Sequence, residues 1–141
     1  MASLVYNSFL TDLFAGNCNT THNYKAMLTT SSYTESRSSH TKRSNITNEI
    51  TGTGYTAGGA AVTLSFAMNN TTHVGTLTIS AVSWANSTLT ARKCVIYRDR
   101  GGASSADELV AVIDNGVDIT TSAQTLAVAA STWAIPLPAP L

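Results

Sequence analysis

Between Ile50 and Ala91 the chain contains no Asp, Glu, Lys or Arg, and a second such stretch runs from Ile119 to Leu141. Both are rich in Thr, Ser, Asn, Ala and Val. This pattern narrows what the chain can become. A domain that works alone in solution keeps charge on its surface, because charge maintains solubility and opposes association. Here Thr and Ser hydroxyls take that place, and β-branched Thr and Val suit a pleated, half-buried surface. Such stretches fit strands and close packing on a neighbouring chain, and they leave little material for acid–base chemistry. Charged residues make up 11% of the chain, against about 25% in ordinary domains. The formal net charge is zero, so no overall field draws the chain to nucleic acid or an anionic membrane. Neither is expected as a partner. No run approaches the ~18 apolar residues of a membrane span. The opening Met-Ala-Ser-Leu-Val-Tyr-Asn-Ser lacks the basic region and apolar core of a secretory signal.

With 141 residues, one domain with a real hydrophobic core is expected over the whole length. Phe9, Leu10, Leu13 and Phe14 recur at helical spacing. They predict one short helix over Val5–Ala15, capped by Asn7 or Ser8 and stopped by Gly16. Tyr24–Thr29 reads as the first strand, Ser31–Ser44 as a long exposed loop, and Glu49–Thr51 as a short strand. Gly52, Gly54, Gly58 and Gly59 then demand turns. Period-two alternation predicts strands over Ala61–Met68 and His73–Val82, with Trp84 at a strand end. A turn at Ala85–Ser87 precedes a strong strand over Leu89–Tyr97. Gly101–Ala106 reads as a loop and Leu109–Ile113 as a buried strand, with Asn115-Gly116 as a turn dipeptide. Strands over Thr125–Ala130 and Thr132–Leu137 close the chain, and Pro136, Pro138 and Pro140 make a stiff extended tail. The expected fold class is therefore mainly β: an antiparallel β-sandwich or barrel-like domain with one short N-terminal helix.

Motifs that carry chemistry are sparse. Gly52-Thr53-Gly54-Tyr55-Thr56-Ala57 matches the dinucleotide pattern, but a β-patterned run follows it and no acid comes before Asp99. A glycine-rich turn leading into a strand is expected there. His22, His40 and His73 are scattered, without the local ligand pairs of a zinc site. No GxSxG occurs, and the adjacent Asp107 and Glu108 would face opposite sides of a strand. No catalytic, cofactor-binding or metal-ligating residue is assigned, and no cofactor or enzymatic activity is expected. Cys18 and Cys94 leave thiols or a disulfide open. Arg37, His40, Lys42 and Arg43 form a small basic loop, read as solvated or as facing an acidic partner. Arg92, Lys93, Arg98 and Arg100 flank a strand beside Asp99 and Asp107, and local surface salt bridges are expected. Asn19, Asn45, Asn69, Asn70 and Asn86 each open an N-x-S/T triplet, which without a secretory signal reflects only the abundance of Asn and Thr.

Taken in order, several motifs resemble a family of small virion structural proteins from tailed bacteriophages. They are Tyr6-Asn7-Ser8-Phe9, Ser32-Tyr33-Thr34, His40-Thr41 and the block from Asn48-Glu49-Ile50-Thr51 through Gly58-Gly59. Val82-Ser83-Trp84, Ser87-Thr88-Leu89-Thr90-Ala91-Arg92 and Val95-Ile96-Tyr97 follow. The resemblance covers most of the chain, and the Glu-to-Gly-Gly block is its most specific part. It implies a capsid decoration (cement) protein on the outer face of a phage head, made in the bacterial host cytoplasm. Its partners would be the major capsid protein and neighbouring copies of itself, and it carries no catalytic residues. The N-terminal segment and the Pro-containing tail are candidate reaching arms. A tail or fibre component is the first rival. A carbohydrate-binding adhesion module is the second, with Trp84, Trp133, Tyr33 and Tyr55 as the aromatics that would stack on sugars.

Overall fold

A computed structural model describes residues 3–139. Pro140, one of the three tail prolines, lies outside the described residues. The fold is mainly β, with one N-terminal helix and two packed antiparallel sheets in a sandwich-like arrangement. The elements are β1 (Leu4–Val5), α1 (Asn7–Phe14), β2 (Tyr24–Thr29), β3 (Ala60–Val62), β4 (Leu64–Asn69), β5 (Val74–Ile79), β6 (Val82–Arg98), β7 (Leu109–Val128) and β8 (Ser131–Pro136). A 3-10 turn spans Arg43–Asn45. One sheet has the order β1-β7-β6-β2-β3 and the other β4-β5-β8.

The helix is shorter than the spacing suggests. Leu4 and Val5 pair with Val112 and Ala111 as β1, so Tyr6 becomes the N-cap and neither Asn7 nor Ser8 caps through its side chain. Phe9 and Leu13 pack inward, while Leu10 and Phe14 stay exposed. Gly16 ends the helix at φ 78°.

The strands at the corners are shared between sheets. The run expected over Ala61–Met68 breaks at Thr63, with β3 in the larger sheet and β4 in the smaller. The run expected over His73–Val82 breaks at Ser80–Ala81 in the same way. The two corners are lashed together: Thr63 N donates to Ser80 Oγ (3.0 Å) and Ser80 N donates to Thr63 O (3.0 Å). Both corner amides are thereby satisfied where the ladder is interrupted.

The expected turns at Ala85–Ser87 and Asn115-Gly116 do not end strands. β6 and β7 run through them as one long antiparallel ladder with register shifts. Asn86 takes φ 49°, and the register jumps from Trp84↔Leu126 to Ser87↔Gln124. Residues 115–118 stand opposite Arg92 alone, between the rungs Ala91↔Ile119 and Lys93↔Asp114. Gly116 N donates to Asp114 Oδ1 (2.8 Å) and Asn115 Nδ2 to Val117 O (2.9 Å), so this bulge closes on itself. The turn chemistry is present, but it makes bulges rather than hairpins.

The core lies on both faces of the larger sheet. Leu28, Cys94, Ile96, Leu64, Leu77, Ile79, Trp84 and Leu126 fill the space between sheets. Met27, Val95, Tyr97, Leu109 and Val112 form a second cluster on the opposite face with Tyr6 and Tyr33. The segment expected as an exposed loop, Ser31–Ser44, covers that second face. Tyr33 is 0% exposed and Glu35 6%. A sheet with apolar residues on both faces needs two covers, and this segment with Ile46 supplies the second.

Candidate interaction surface

The ladder of β6 and β7 divides the molecule by charge. The first charge-free stretch ends at Ala91 and the second begins at Ile119, and these two residues are paired rungs of one ladder. Beyond them, β6 and β7 continue uncharged to the rung Val82↔Val128. They then pass into the smaller sheet, where β5 and β8 pair from Ile79↔Ser131 to Val74↔Pro136. No strand of the smaller sheet contains a charged residue. Residues 64–91 of the first stretch and 119–136 of the second thus form one neutral half, while β3, also in the first stretch, pairs with β2 beside Lys25 on the charged side.

The charged half satisfies itself. Lys42 Nζ lies 3.2 Å and Arg100 Nη2 2.6 Å from Glu108 Oε1, and Arg43 Nε 2.7 Å from Asp107 Oδ2. Burial opposes the charged form of Glu108, but Arg100 and Lys42 outweigh it and hold the carboxyl down at about 2. Lys93 Nζ reaches Glu35 Oε2 at 2.5 Å and the Tyr33 carbonyl at 2.7 Å, in a site closed to solvent. Tyr6 and Tyr33 share a hydrogen bond of 2.7 Å, and Tyr33 OH meets His40 Nδ1 at 3.1 Å. Burial pushes both phenols above their ordinary range. Arg92 pairs with Asp114 (3.0 Å), Lys25 with Asp99 (2.9 Å), Arg37 donates to Val5 O (3.2 Å) and Arg98 to Asn17 O. Every Lys and Arg therefore has a partner inside the chain. In the basic loop Arg37 is exposed and Lys42 and Arg43 are half-buried, each holding a partner within the chain, and of the cations expected in local surface salt bridges Lys93 makes a long-range, buried one with Glu35. The adjacent Asp107 and Glu108 are each engaged by cations.

The Glu-to-Gly-Gly block is a structural strap. Glu49 Oε1 accepts from Tyr55 OH (2.7 Å) and Gly58 N (2.6 Å), and Tyr97 OH donates to Gly58 O (2.6 Å). Gly59 sits at φ 83°, where a Cβ would lie 1.8 Å from Ala26 O, and a Cβ at Gly52 would lie 2.6 Å from Thr88 O. Strand β3 follows the strap directly, with no helix to receive a pyrophosphate.

The other sequence candidates are dispersed. Among the described residues, no three His, Cys, Asp or Glu side chains are grouped to hold a metal ion. His22 lies near Asn19, and His73 occupies the β4–β5 turn at φ 58°. Cys18 and Cys94 are buried free thiols, which burial pushes up to about 11 and about 12. Of the four aromatics, Tyr33 and Trp84 are buried, and Tyr55 and Trp133 are partly buried against the core. A cleft of about 410 Å³ is lined by Leu28, Cys94, Ile113, Leu126 and Ala127–Ser131, together with Arg92 and Asp114. No aromatic lines it.

What remains available is the neutral half. On the smaller sheet, Leu64, Leu77, Ile79 and Trp133 pack on the core, while Phe66 (52%), Met68 (37%) and Ile135 (38%) on the same face lie exposed. The outer face presents Ser65, Ala67, Thr76, Thr78, Thr132 and Ala134. Leu137, bonded to His73 O (3.0 Å) and 59% exposed, extends this surface toward the tail. Sequence reasoning had the two neutral stretches; their convergence on one rung needed the fold. Comparison with models of known protein families, with curated proteins and with solved structures finds no match.

Proposed function

We propose that this chain is a bacteriophage capsid decoration protein that binds the outer face of the head and stabilises contacts between capsomers, without chemistry. The observation that supports the reading best is the segregation of charge at the rung Ala91↔Ile119. One half of the molecule uses its ions internally, and the other offers hydroxyls, small side chains and a few exposed apolar groups. A cement protein must fit many identical places on a shell. Neutral polar and small apolar surface fits closely without the several kcal/mol of desolvation that each buried ion costs. Modest affinity per site is enough where neighbouring copies also touch, because avidity multiplies it. The self-satisfied ionic half faces solvent in this arrangement.

The test is copy number in purified virions of the phage that encodes the chain, by quantitative mass spectrometry against the major capsid protein. A simple whole-number ratio to the shell subunit is the expected result. A handful of copies per particle would reassign the chain to the tail or a fibre, and absence from virions would overturn the structural role.

A further inference from the structure

The outermost strands of the two sheets are β1, β3, β4 and β8, and three of them carry a feature that discourages pairing. β1 has 2 residues and β3 has 3, and β8 ends in Pro136. Short strands, proline, charge and bulges are the usual protections of a sheet edge. β4 has none of them. It has 6 residues, no charge and no proline. Its register with β5 runs from Leu64↔Ile79 to Asn69↔Val74 without a shift. It is bonded on one side only, and every residue from Ser65 to Asn69 is exposed.

The strand is also its own mirror in character. Ser65-Phe66-Ala67-Met68-Asn69 reads polar, apolar, small, apolar, polar in either direction. Opposite residues in an antiparallel pair share a face. A two-fold axis at Ala67 therefore sets Ala67 against Ala67, Phe66 against Met68 and Ser65 against Asn69 of a second copy. The exposed apolar pair of each chain meets that of the other on the core-side face, and neutral residues meet on the outer face. A two-fold interface demands self-complementarity of this kind, and an uncharged strand meets its own copy without like-charge repulsion. From this juxtaposition we infer that β4 is a homodimerisation edge, joining the smaller sheets of two copies into one continuous antiparallel sheet. The inference concerns the purified chain and does not depend on the shell assignment.

The test is sedimentation equilibrium of the full chain up to roughly 200 µM, which populates complexes of micromolar dissociation constant. A dimer is expected. Ala67→Lys, which places two ammonium groups opposite each other on the exposed face, weakens it by about tenfold or more. Thr132→Lys, on the exposed face of β8, leaves it unchanged. Ala67→Cys forms a disulfide-linked dimer under mild oxidation, since facing Cα atoms of an antiparallel pair lie about 4.5–5.5 Å apart, within disulfide reach. The native Cys18 and Cys94 are buried and do not compete. A monomer at every concentration overturns the inference. So does a dimer that Thr132→Lys weakens as much as Ala67→Lys, or an oxidised Ala67→Cys chain that yields no linked dimer.

Discussion

Replacing Lys93 by Met is the sharpest perturbation of the cover over the second face of the larger sheet. The Lys93 ammonium is bonded to Glu35 Oε2 and to the Tyr33 carbonyl, with side-chain exposures of 6% for Lys93 and 0% for Glu35. The other carboxylate oxygen, Glu35 Oε1, already has no hydrogen-bond partner. Met fills the lysine stem's volume but leaves a buried carboxylate with no counter-charge. Breaking one side of a buried pair costs about 3–5 kcal/mol, which for a chain of this size lowers the melting temperature by roughly 10–15 °C. Urea unfolding followed by circular dichroism reads the loss. Adding Glu35→Gln to Lys93→Met removes the uncompensated charge and recovers part of the loss at pH 7. A Lys93→Met deficit under about 1 kcal/mol, well below the expected cost of breaking a buried pair, refutes the reasoning. No recovery in the double variant does the same.

Two further outcomes follow from the fold. Gly59→Ala forces a non-glycine residue to φ 83° with its Cβ 1.8 Å from Ala26 O, so the strap must shift; a loss of about 2 kcal/mol or more in urea unfolding is expected. Glu108, held at about 2 by Arg100 and Lys42 against its burial, contributes stability that is present above its unfolded value near 4.5 and is lost as pH falls toward 2. That contribution is about 3 kcal/mol, and an acid titration of unfolding free energy in wild type and Arg100→Ala shows a shallower acid slope in the variant.

Much of the β architecture was legible because alternation is a local signal. Tyr24–Thr29 was placed at its observed bounds, and the class of fold follows from the same periodicity. Corners and bulges were not legible. Thr63 and Ser80 change sheets without a glycine or proline to announce it, because each corner is held by the other's backbone and hydroxyl. Asn115-Gly116 carries a hairpin signature, yet the β6–β7 ladder absorbs it as a bulge, since long-range pairing on both sides outweighs the local turn. The segment Ser31–Ser44 looked exposed because it is polar. Much of it is exposed, but Tyr33 and Glu35 are buried through Lys93, a partner far away in sequence. The neutral stretches were visible at once, but their shared border at Ala91↔Ile119 is a property of register, which composition does not carry.

The proposed decoration role requires the neutral half to meet the shell. Co-sedimentation of purified chain with phage heads lacking it tests this directly, using wild type, Ala134→Lys on the exposed outer face of the smaller sheet, and Asp118→Asn in the charged half. Saturating binding by wild type and Asp118→Asn, with a loss of at least about tenfold for Ala134→Lys from the added desolvation of a buried ammonium, is the predicted result. Failure of wild type to bind, or equal binding by Ala134→Lys, would contradict it.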